Sequence, residues 1–254
     1  MLNPGTALPG QDYMDFGATF LGRSVWVKGQ YTDGRIAYFT GLRIDGRNVL
    51  TINAGTHSPN GPISVLEVGS GLNYFTNPGE IRSVANVVLN PSLDISILQL
   101  EGDVFPGVDL VVGATPSLLE PIQIAGYGQF ALQDGPLQLQ DGNIRGLEQV
   151  VGFDNSALFS PGFAVLRFPG GTKPGYSGAP VFYGGDAIGI VIGGILGTQS
   201  VQRTDYVPLN TPGLNEFIAA NLVVPEPGSA ALFLLGGLFC LARSQRNSRN
   251  AYPI

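Results

Sequence analysis

Three residues able to catalyse acyl transfer occur along the chain in the order His57, Asp94 and Ser177, each beside a predicted strand end. A serine hydroxyl is a weak nucleophile until a neighbouring base removes its proton. A histidine can act as that base, and a carboxylate fixes the tautomer of the imidazole and stabilises the imidazolium. His57 is the only histidine of the chain, so no other imidazole is available. These residue types indicate hydrolysis with Ser177 as the attacking group.

From about residue 17 to residue 208, short runs of β-forming residues alternate with turns. The 254 residues include 37 glycines and 19 prolines, and only 13% are charged. Several runs alternate apolar and polar side chains, which is typical of strands in a barrel or a sandwich. We therefore predict an all-β fold, with residues 105–121 connecting two halves. The runs are RSVWVKGQY, RIAYFTGLRI, NVLTINA, ISVLEVG, IRSVANVVL, ISILQL, PIQIAGYG, FAVLRF, APVFYG and AIGIVIGGI.

A short amphipathic helix is predicted for residues 211–222. Thr211 is a candidate N-cap, and Pro212 suits the first helical position, where no backbone hydrogen bond is lost. The apolar residues that recur at helical spacing are Leu214, Phe217, Ile218 and Leu222.

Charge and composition exclude several classes of function. The formal net charge is −6, whereas nucleic-acid binding needs a basic surface that neutralises phosphates. The sequence has no zinc-type Cys/His spacing, no EF-hand loop and no Walker loop, so we expect no metal and no cofactor. The single cysteine, Cys240, lies in an apolar run and is interpreted as a small apolar residue.

The C-terminal region contains an uncharged, mostly apolar run at 228–242, which Arg243, Arg246 and Arg249 follow. The run is short for a spanning helix, but a surface helix would carry a polar face. We predict a single transmembrane helix, with a buried terminal helix as the alternative. Residues 1–16 are turn-rich and contain no recognisable signal peptide.

Around the three candidate residues, the motifs resemble those of the chymotrypsin/trypsin-like serine peptidases over roughly residues 17–222. GYSGAP (175–180) is similar to their Gly-Asp-Ser-Gly-Gly-Pro nucleophile loop, and LDISILQL (93–100) to the Asp-Ile-Ala-Leu-Leu strand that carries the triad aspartate. IAGYG (124–128) resembles their Gly-Trp-Gly strand, and GIVIGG (189–194) the Gly-Ile-Val-Ser-Trp-Gly wall of the substrate pocket. A C-terminal helix also fits the family.

This resemblance implies two six-stranded antiparallel β-barrels, at about 17–110 and 120–208, with the active site in the cleft between them. Ser177 would be the nucleophile and Asp94 the carboxylate that orients the base. The backbone N–H groups of Gly175 and Ser177 would form the oxyanion hole that stabilises the tetrahedral intermediate.

The resemblance also bears on specificity and activation. Gly171 matches the base of the substrate pocket, and Gly193 and Gly194 match its wall, so an uncharged P1 residue is implied. Tyr176 stands where activatable members carry an aspartate that pairs with a newly cut N-terminus. We therefore expect no activation of that kind.

The histidine position leaves two alternatives. The family histidine follows its strand as Thr-Ala-Ala-His, and counting from Thr51 places Ala54 in that position. A three-residue insertion would place His57 there instead. A repositioned His57 favours catalysis, whereas Ala54 favours a protein that binds peptides or matrix polymers without cleaving them.

The tail resembles the PEP-CTERM sorting signal of bacteria that make exopolysaccharide. Its motif is Pro225-Glu226-Pro227, followed by the apolar run and the arginine cluster. The resemblance implies insertion into the inner membrane, cleavage near the motif by an exosortase, and release toward the cell surface. Because such proteins are exported, we expect the true initiator to lie upstream of Met1.

The leading interpretation is an exported, surface-directed serine endopeptidase that acts on peptide or protein substrates. Its domains would be an N-terminal segment (1–16), a peptidase domain (17–222) and the sorting signal (223–254). The competing interpretation is a catalytically inactive, protease-like binding protein.

Overall fold

Two short helices and twelve strands make up the described part of the chain. The computed structural model describes residues 10–53, 63–102, 105–128, 141–151, 157–159, 166, 175–195 and 203–222. All of these belong to the first of two units, residues 1–222, and the second unit is residues 223–254. No helix within the described ranges is long and apolar enough to cross a membrane, and the predicted helix at 228–242 lies outside them.

The elements follow one another in the order helix, twelve strands, helix. Their bounds are α1 Gly10–Ala18, β1 Ser24–Tyr31, β2 Ile36–Arg43, β3 Asn48–Ile52, β4 Ile63–Gly69, β5 Ile81–Asn90, β6 Ile95–Leu100, β7 Pro121–Gly126, β8 Arg145–Val151, β9 Ala157–Phe159, β10 Pro180–Tyr183, β11 Asp186–Ile195, β12 Arg203–Pro208 and α2 Leu214–Asn221.

The strands form two closed six-stranded barrels with the same strand order. The first barrel runs β1-β2-β3-β6-β5-β4 and closes where β4 pairs with β1. The second runs β7-β8-β9-β12-β11-β10 and closes where β10 pairs with β7. Every pairing between named strands is antiparallel. The predicted double-barrel, all-β fold is confirmed.

Strands β3 and β6 are buried on both faces, and this places them at the seam between the barrels. Side chains alternate sides along a strand, so Val49 and Leu98 point into the first barrel. Their neighbours Leu50 and Ile97 point the other way and pack with Phe182 of the second barrel. Strands β3 and β6 therefore contribute side chains to the apolar layer between the barrels, and β6 directly follows Asp94 of the candidate site.

The N-terminal helix α1 packs on the second barrel. Tyr13 belongs to the apolar cluster inside that barrel, and Phe16 packs against the same cluster. A Cβ added to Gly17 would lie 2.7 Å from the Arg145 carbonyl carbon, so only glycine allows this approach of helix to strand. The interpretation of residues 1–16 as turn-rich is thus wrong for residues 10–16.

The predicted C-terminal helix is confirmed as α2, but its first turn differs from the prediction. Leu214 and Ile218 are buried, as their spacing predicts. The residue at the N-cap is Gly213, with φ 80°, and no side chain caps the helix. Thr211 instead donates its hydroxyl to the Pro208 carbonyl at 2.7 Å, because the chain turns once more before the helix begins.

The other predicted strand runs fall on β1 to β7, β10 and β11. FAVLRF lies outside the described residues except for Leu166. The connection at 105–121 also agrees with the structure, since β6 ends at Leu100 and β7 begins at Pro121. The sequence patterns missed β8, β9 and β12.

Candidate active site

Ser177 lies on a tight turn that leads into β10. The turn needs glycine on both sides of Tyr176 and Ser177, because Gly175 has φ 98° and Gly178 has φ 82°. These are left-handed conformations that cost other residues about 1 kcal/mol or more. Ser177 is half-buried, between the fully buried Tyr176 and Gly178. We name residues 175–178 the nucleophile turn.

The hydrogen bonds of the nucleophile turn leave two backbone donors available. Gly178 N donates to the Val191 carbonyl at 2.7 Å, and Ala179 N donates to the Tyr176 carbonyl at 2.8 Å. Among the described residues, the N–H groups of Gly175 and Ser177 have no acceptor. Paired backbone N–H groups of this kind can bind an oxyanion.

Thr40 of β2 attaches the nucleophile turn to the first barrel. Its N–H donates to the Ser177 carbonyl at 3.0 Å, and its hydroxyl donates to the Gly175 carbonyl at 2.9 Å. The same hydroxyl accepts a hydrogen bond from Tyr127 N at 3.0 Å. One buried side chain thus joins the turn, the end of β7 and the first barrel.

Asp94 directly precedes β6, which pairs with β3 on the side of Thr51 opposite to β2 and the turn. Thr51 donates its hydroxyl to the Thr40 carbonyl at 2.7 Å, so it borders the nucleophile turn. Two residues further, about 7 Å along the strand, Asn53 N donates to the Asp94 carbonyl at 2.9 Å. Asp94 is partly buried and has φ 56°. Such a left-handed conformation is uncommon outside glycine and is frequent at functional sites.

Asn53, beside Asp94, is the last described residue of its segment, and the next described residue is 63. Both candidates for the histidine position, Ala54 and His57, lie outside the described residues. The same holds for Gly171 of the predicted pocket and for the sorting motif Pro225, Glu226 and Pro227.

The two predicted pocket-wall residues lie on β11, next to β12. Gly193 pairs with Asp205, and Gly194 pairs with Thr204. A Cβ added to Gly193 would meet no atom within 4 Å among the described residues, so this part of β11 faces open space. Directly opposed residues of an antiparallel pair share a face, and the buried Thr204 therefore lies on the face of Gly194.

Sequence patterns did not identify β12 or its side chains near this wall. The carboxylate of Asp205 accepts a hydrogen bond from Nε of Arg203 at 2.6 Å, so a charged pair stands beside Gly193. RTDYVP does not alternate polar and apolar residues, so its only strand signal is the presence of the β-forming residues Thr204, Tyr206 and Val207. Thr40 had a weaker signal, a polar residue in the middle of an apolar strand.

A polar cluster ties the start of β8 to the first barrel. Asp141 accepts from both terminal nitrogens of Arg145, at 2.8 and 2.6 Å, and Asn73 Nδ2 donates to the Asp141 carbonyl at 2.9 Å. Burial alone would raise the pKa of Asp141, but hydrogen bonds from Arg145 and Asn143 outweigh it and lower the pKa to about 2. The cluster fixes the segment that follows residues 129–140. Within the described residues, no group of three His, Cys, Asp or Glu side chains could hold a metal ion.

Fold and site together define a double β-barrel with a serine-bearing turn at the seam. Residues 39–192, more than half of the chain, match the family model described as a trypsin-like peptidase domain. The chain therefore belongs to the trypsin-like peptidase domain family. It is a protease or a homologue of one, and the family implies peptide or protein substrates.

Solved structures of the same fold include one described as an inactivated protease paralogue. The chain is similar to GrC, with 17% identity and a TM-score of 0.54, over 73% of this chain and 89% of that one. It is also similar to the inactivated protease paralogue S-I1 of the scabies mite, with 15% identity and a TM-score of 0.56, over 79% of this chain and 95% of that one. These likenesses show the fold alone. No curated protein sequence matches the chain.

Proposed function

We propose that the protein is an exported serine endopeptidase that cleaves peptide bonds through an acyl-enzyme. The observation that carries this proposal is the nucleophile turn. Its two left-handed glycines flank Tyr176 and Ser177, and the N–H groups of Gly175 and Ser177 have no acceptor among the described residues. A turn built only to connect two strands would not need to leave two nearby donors available.

In the proposed reaction, Ser177 Oγ attacks the scissile carbonyl while its proton passes to the base. The carbonyl π electrons move to oxygen, and the N–H groups of Gly175 and Ser177 bind the resulting oxyanion. The intermediate collapses to the acyl-enzyme as the base returns the proton to the leaving amine. Water then attacks the acyl group with the help of the same base, which releases the acid and restores the Ser177 hydroxyl.

His57 is the proposed base and Asp94 the group that orients it. Asn53 holds the Asp94 backbone, and four residues of chain from Asn53 to His57 span at most about 14 Å. We propose that, within this reach, the imidazole lies between Asp94, on the β6 side of Thr51, and the nucleophile turn, on its β2 side.

The substrate pocket is proposed to accept an uncharged P1 residue. Its proposed members Gly171, Gly193 and Gly194 carry no charge, and the nearest acidic side chain on β12, Asp205, is paired with Arg203. Thr204 lies opposite Gly194 on β12, and we propose that its side chain fills part of the pocket there, which favours a P1 residue of small or medium size.

One observation favours the competing function, a non-catalytic protein that binds peptides or matrix polymers. Ala54 directly follows Asn53, the residue whose backbone contacts Asp94. If no imidazole reaches the turn, the cleft can bind a peptide but lacks the base that activates Ser177.

A fluorophosphonate probe separates the two functions in the full-length protein. We expect a covalent adduct on Ser177 that is lost in Ser177→Ala and falls at least a hundredfold in rate in His57→Ala. The matched controls Ser83→Ala, on an exposed part of β5, and Ser58→Ala, next to the histidine, should react like the wild type. A folded wild-type protein that is not labelled would exclude the peptidase and leave the binding protein.

We also propose that residues 223–254 direct the protein to the cell surface. The support is the order of Pro225-Glu226-Pro227, an apolar run and an arginine cluster, which suits insertion into the inner membrane with the arginines on the cytoplasmic side. Expression with and without an exosortase tests this, with mass spectrometry of the new C-terminus. Cleavage near the motif that is lost in Glu226→Ala supports the proposal, and an uncleaved protein in the soluble fraction contradicts it.

A further inference from the structure

The residue between the two proposed oxyanion donors is attached to the interior of the second barrel. Tyr176 is only 1% exposed, whereas Gly175 and Ser177 on either side are partly exposed. Its ring belongs to the apolar cluster of that barrel. The nucleophile turn is thus held from within by a side chain that points away from any substrate.

Two glycines form a slot for this ring. A Cβ added to Gly126 would lie 2.8 Å from Tyr176 Cδ1, and one added to Gly128 would overlap with Cδ2. Neither glycine has a left-handed backbone, so the close approach of Tyr176, and not the local conformation, excludes a side chain at these positions.

The far end of the ring contacts β8. The Tyr176 hydroxyl donates to the Arg145 carbonyl at 3.4 Å, which is a long and weak hydrogen bond. Burial raises the pKa of the Tyr176 hydroxyl, so the group stays neutral and remains a donor. The packing of the ring therefore contributes more to its placement than the hydroxyl does.

Helix α1 covers the same part of β8 from outside. Gly17 lies against the Arg145 backbone, and a Cβ added to Gly146 would lie 2.5 Å from the Phe16 ring. Tyr13 of α1 lies in the same cluster as Tyr176. We name Tyr176, its glycine slot and the segment of β8 under α1 the tyrosine anchor.

We infer that Tyr176 is a positioning residue, and that the tyrosine anchor holds the Gly175 and Ser177 donors in place without any charged group from the N-terminus. The described contacts of the Tyr176 side chain are apolar, apart from the single bond to the Arg145 carbonyl. This inference rests on the proposed function for its catalytic meaning. It predicts a peptidase that is competent as soon as it is folded.

The first test compares Tyr176→Ala with Tyr176→Phe in the full-length protein. An oxyanion donor that is out of place costs about a hundredfold to a thousandfold in kcat. For a peptide ester substrate, we expect Tyr176→Ala to lower kcat about a hundredfold with little change in KM. Tyr176→Phe should restore most of the loss, because it keeps the ring. Equal losses in the two variants would contradict the inference.

Gly128→Ala disturbs the same anchor without substituting a residue of the turn, because its Cβ would overlap with the Tyr176 ring and lie 2.9 Å from Tyr176 N. It covers the case in which Tyr176→Ala does not fold. Its matched control is Gly189→Ala, since a Cβ there would overlap with the Tyr206 ring of the same cluster, and its nearest atoms belong to Tyr206 and Val207 rather than to the nucleophile turn. Both variants should lose stability. Only Gly128→Ala should lower kcat and increase amide hydrogen exchange across residues 175–179. Similar effects of the two variants on the turn would show a general core defect and refute the inference.

Amide hydrogen exchange at residues 175–179 tests the role of Tyr176 independently of whether the protein is a peptidase. If the wild type reacts with no fluorophosphonate, the peptidase is excluded, and exchange in Gly128→Ala still decides whether Tyr176 holds the turn. If the wild type is labelled, acetylation of its α-amino group should leave the rate within about twofold of the unmodified protein. A large loss on acetylation would mean that the charged N-terminus is needed after all.

Discussion

Replacing Thr40 by valine should loosen the nucleophile turn while leaving both barrels closed. Valine keeps the shape of threonine but removes the hydroxyl, which donates to the Gly175 carbonyl at 2.9 Å and accepts from Tyr127 N at 3.0 Å. The backbone bond from Thr40 N to the Ser177 carbonyl would remain. The turn would therefore be held by one contact to the first barrel instead of two.

The size of the effect follows from the two groups left behind. Tyr127 is fully buried, so its N–H would lose its acceptor at a cost of about 1–3 kcal/mol. Gly175 is partly exposed, so water can replace the lost donor and the cost there is at most about 1 kcal/mol. The free energy of unfolding should fall by about 1–4 kcal/mol. For a domain of this size the melting temperature should fall by about 2–4 °C per kcal/mol.

Thermal unfolding and amide hydrogen exchange of residues 175–179 measure both parts of this prediction. Thr40→Ser keeps the hydroxyl and loses one buried methyl group, so it should cost only about 1 kcal/mol and leave the exchange of the turn unchanged. The reasoning is refuted if Thr40→Val and Thr40→Ser destabilise equally, or if Thr40→Ser increases the exchange of the turn as much as Thr40→Val.

Three further predictions concern the turn, the polar cluster and the pocket wall. Gly178→Ala should cost several kcal/mol, because its Cβ would overlap with a β2 carbonyl, whereas Gly184→Ala has a similar backbone and open space and should cost about 1 kcal/mol by thermal unfolding. The pKa of Asp141 is about 2 in the folded protein, below the unfolded value of about 4, so its stabilisation is present above pH 4 and lost as the pH falls toward 2. Asp141→Asn should therefore flatten the fall of the melting temperature between pH 4 and 2, whereas the exposed control Glu101→Gln should keep the wild-type slope. Thr204→Gly should shift P1 preference toward larger apolar residues in a peptide-library assay, and an unchanged profile would place the pocket elsewhere.

The sequence patterns predicted the double barrel because most of its strands alternate polar and apolar residues. They missed β8 because it is buried on both faces and yet includes Arg145 and Gln149, so its polar residues do not mark a solvent side. They missed α1 because glycines at both ends look like turns, whereas Gly17 is a close contact to β8. The role of a buried polar group or of a glycine at a close contact depends on a neighbour that is distant in sequence, so it cannot be predicted from local patterns.

The candidate site could be predicted only as far as local motifs reach. GYSG identifies a turn that requires glycine at 175 and 178, and the φ values agree. Thr40 could not be assigned to the site in this way, because it contacts Gly175 across 135 residues of sequence. The motif comparison shows only that Tyr176 replaces the family aspartate. The contacts of its ring come from β7 and β8, which are distant in sequence.

The position of Thr40 has a consequence for the stage of folding at which the active site forms. The nucleophile turn belongs to the second barrel, yet part of its support comes from β2 of the first. During synthesis the chain produces β2 long before residues 175–178, and the turn is complete only after the second barrel has closed and docked onto the first. If Ser177 is the nucleophile, a chain that is synthesised but not yet folded contains every catalytic residue and still has no active site. Docking of the two barrels then delays proteolysis until folding is complete.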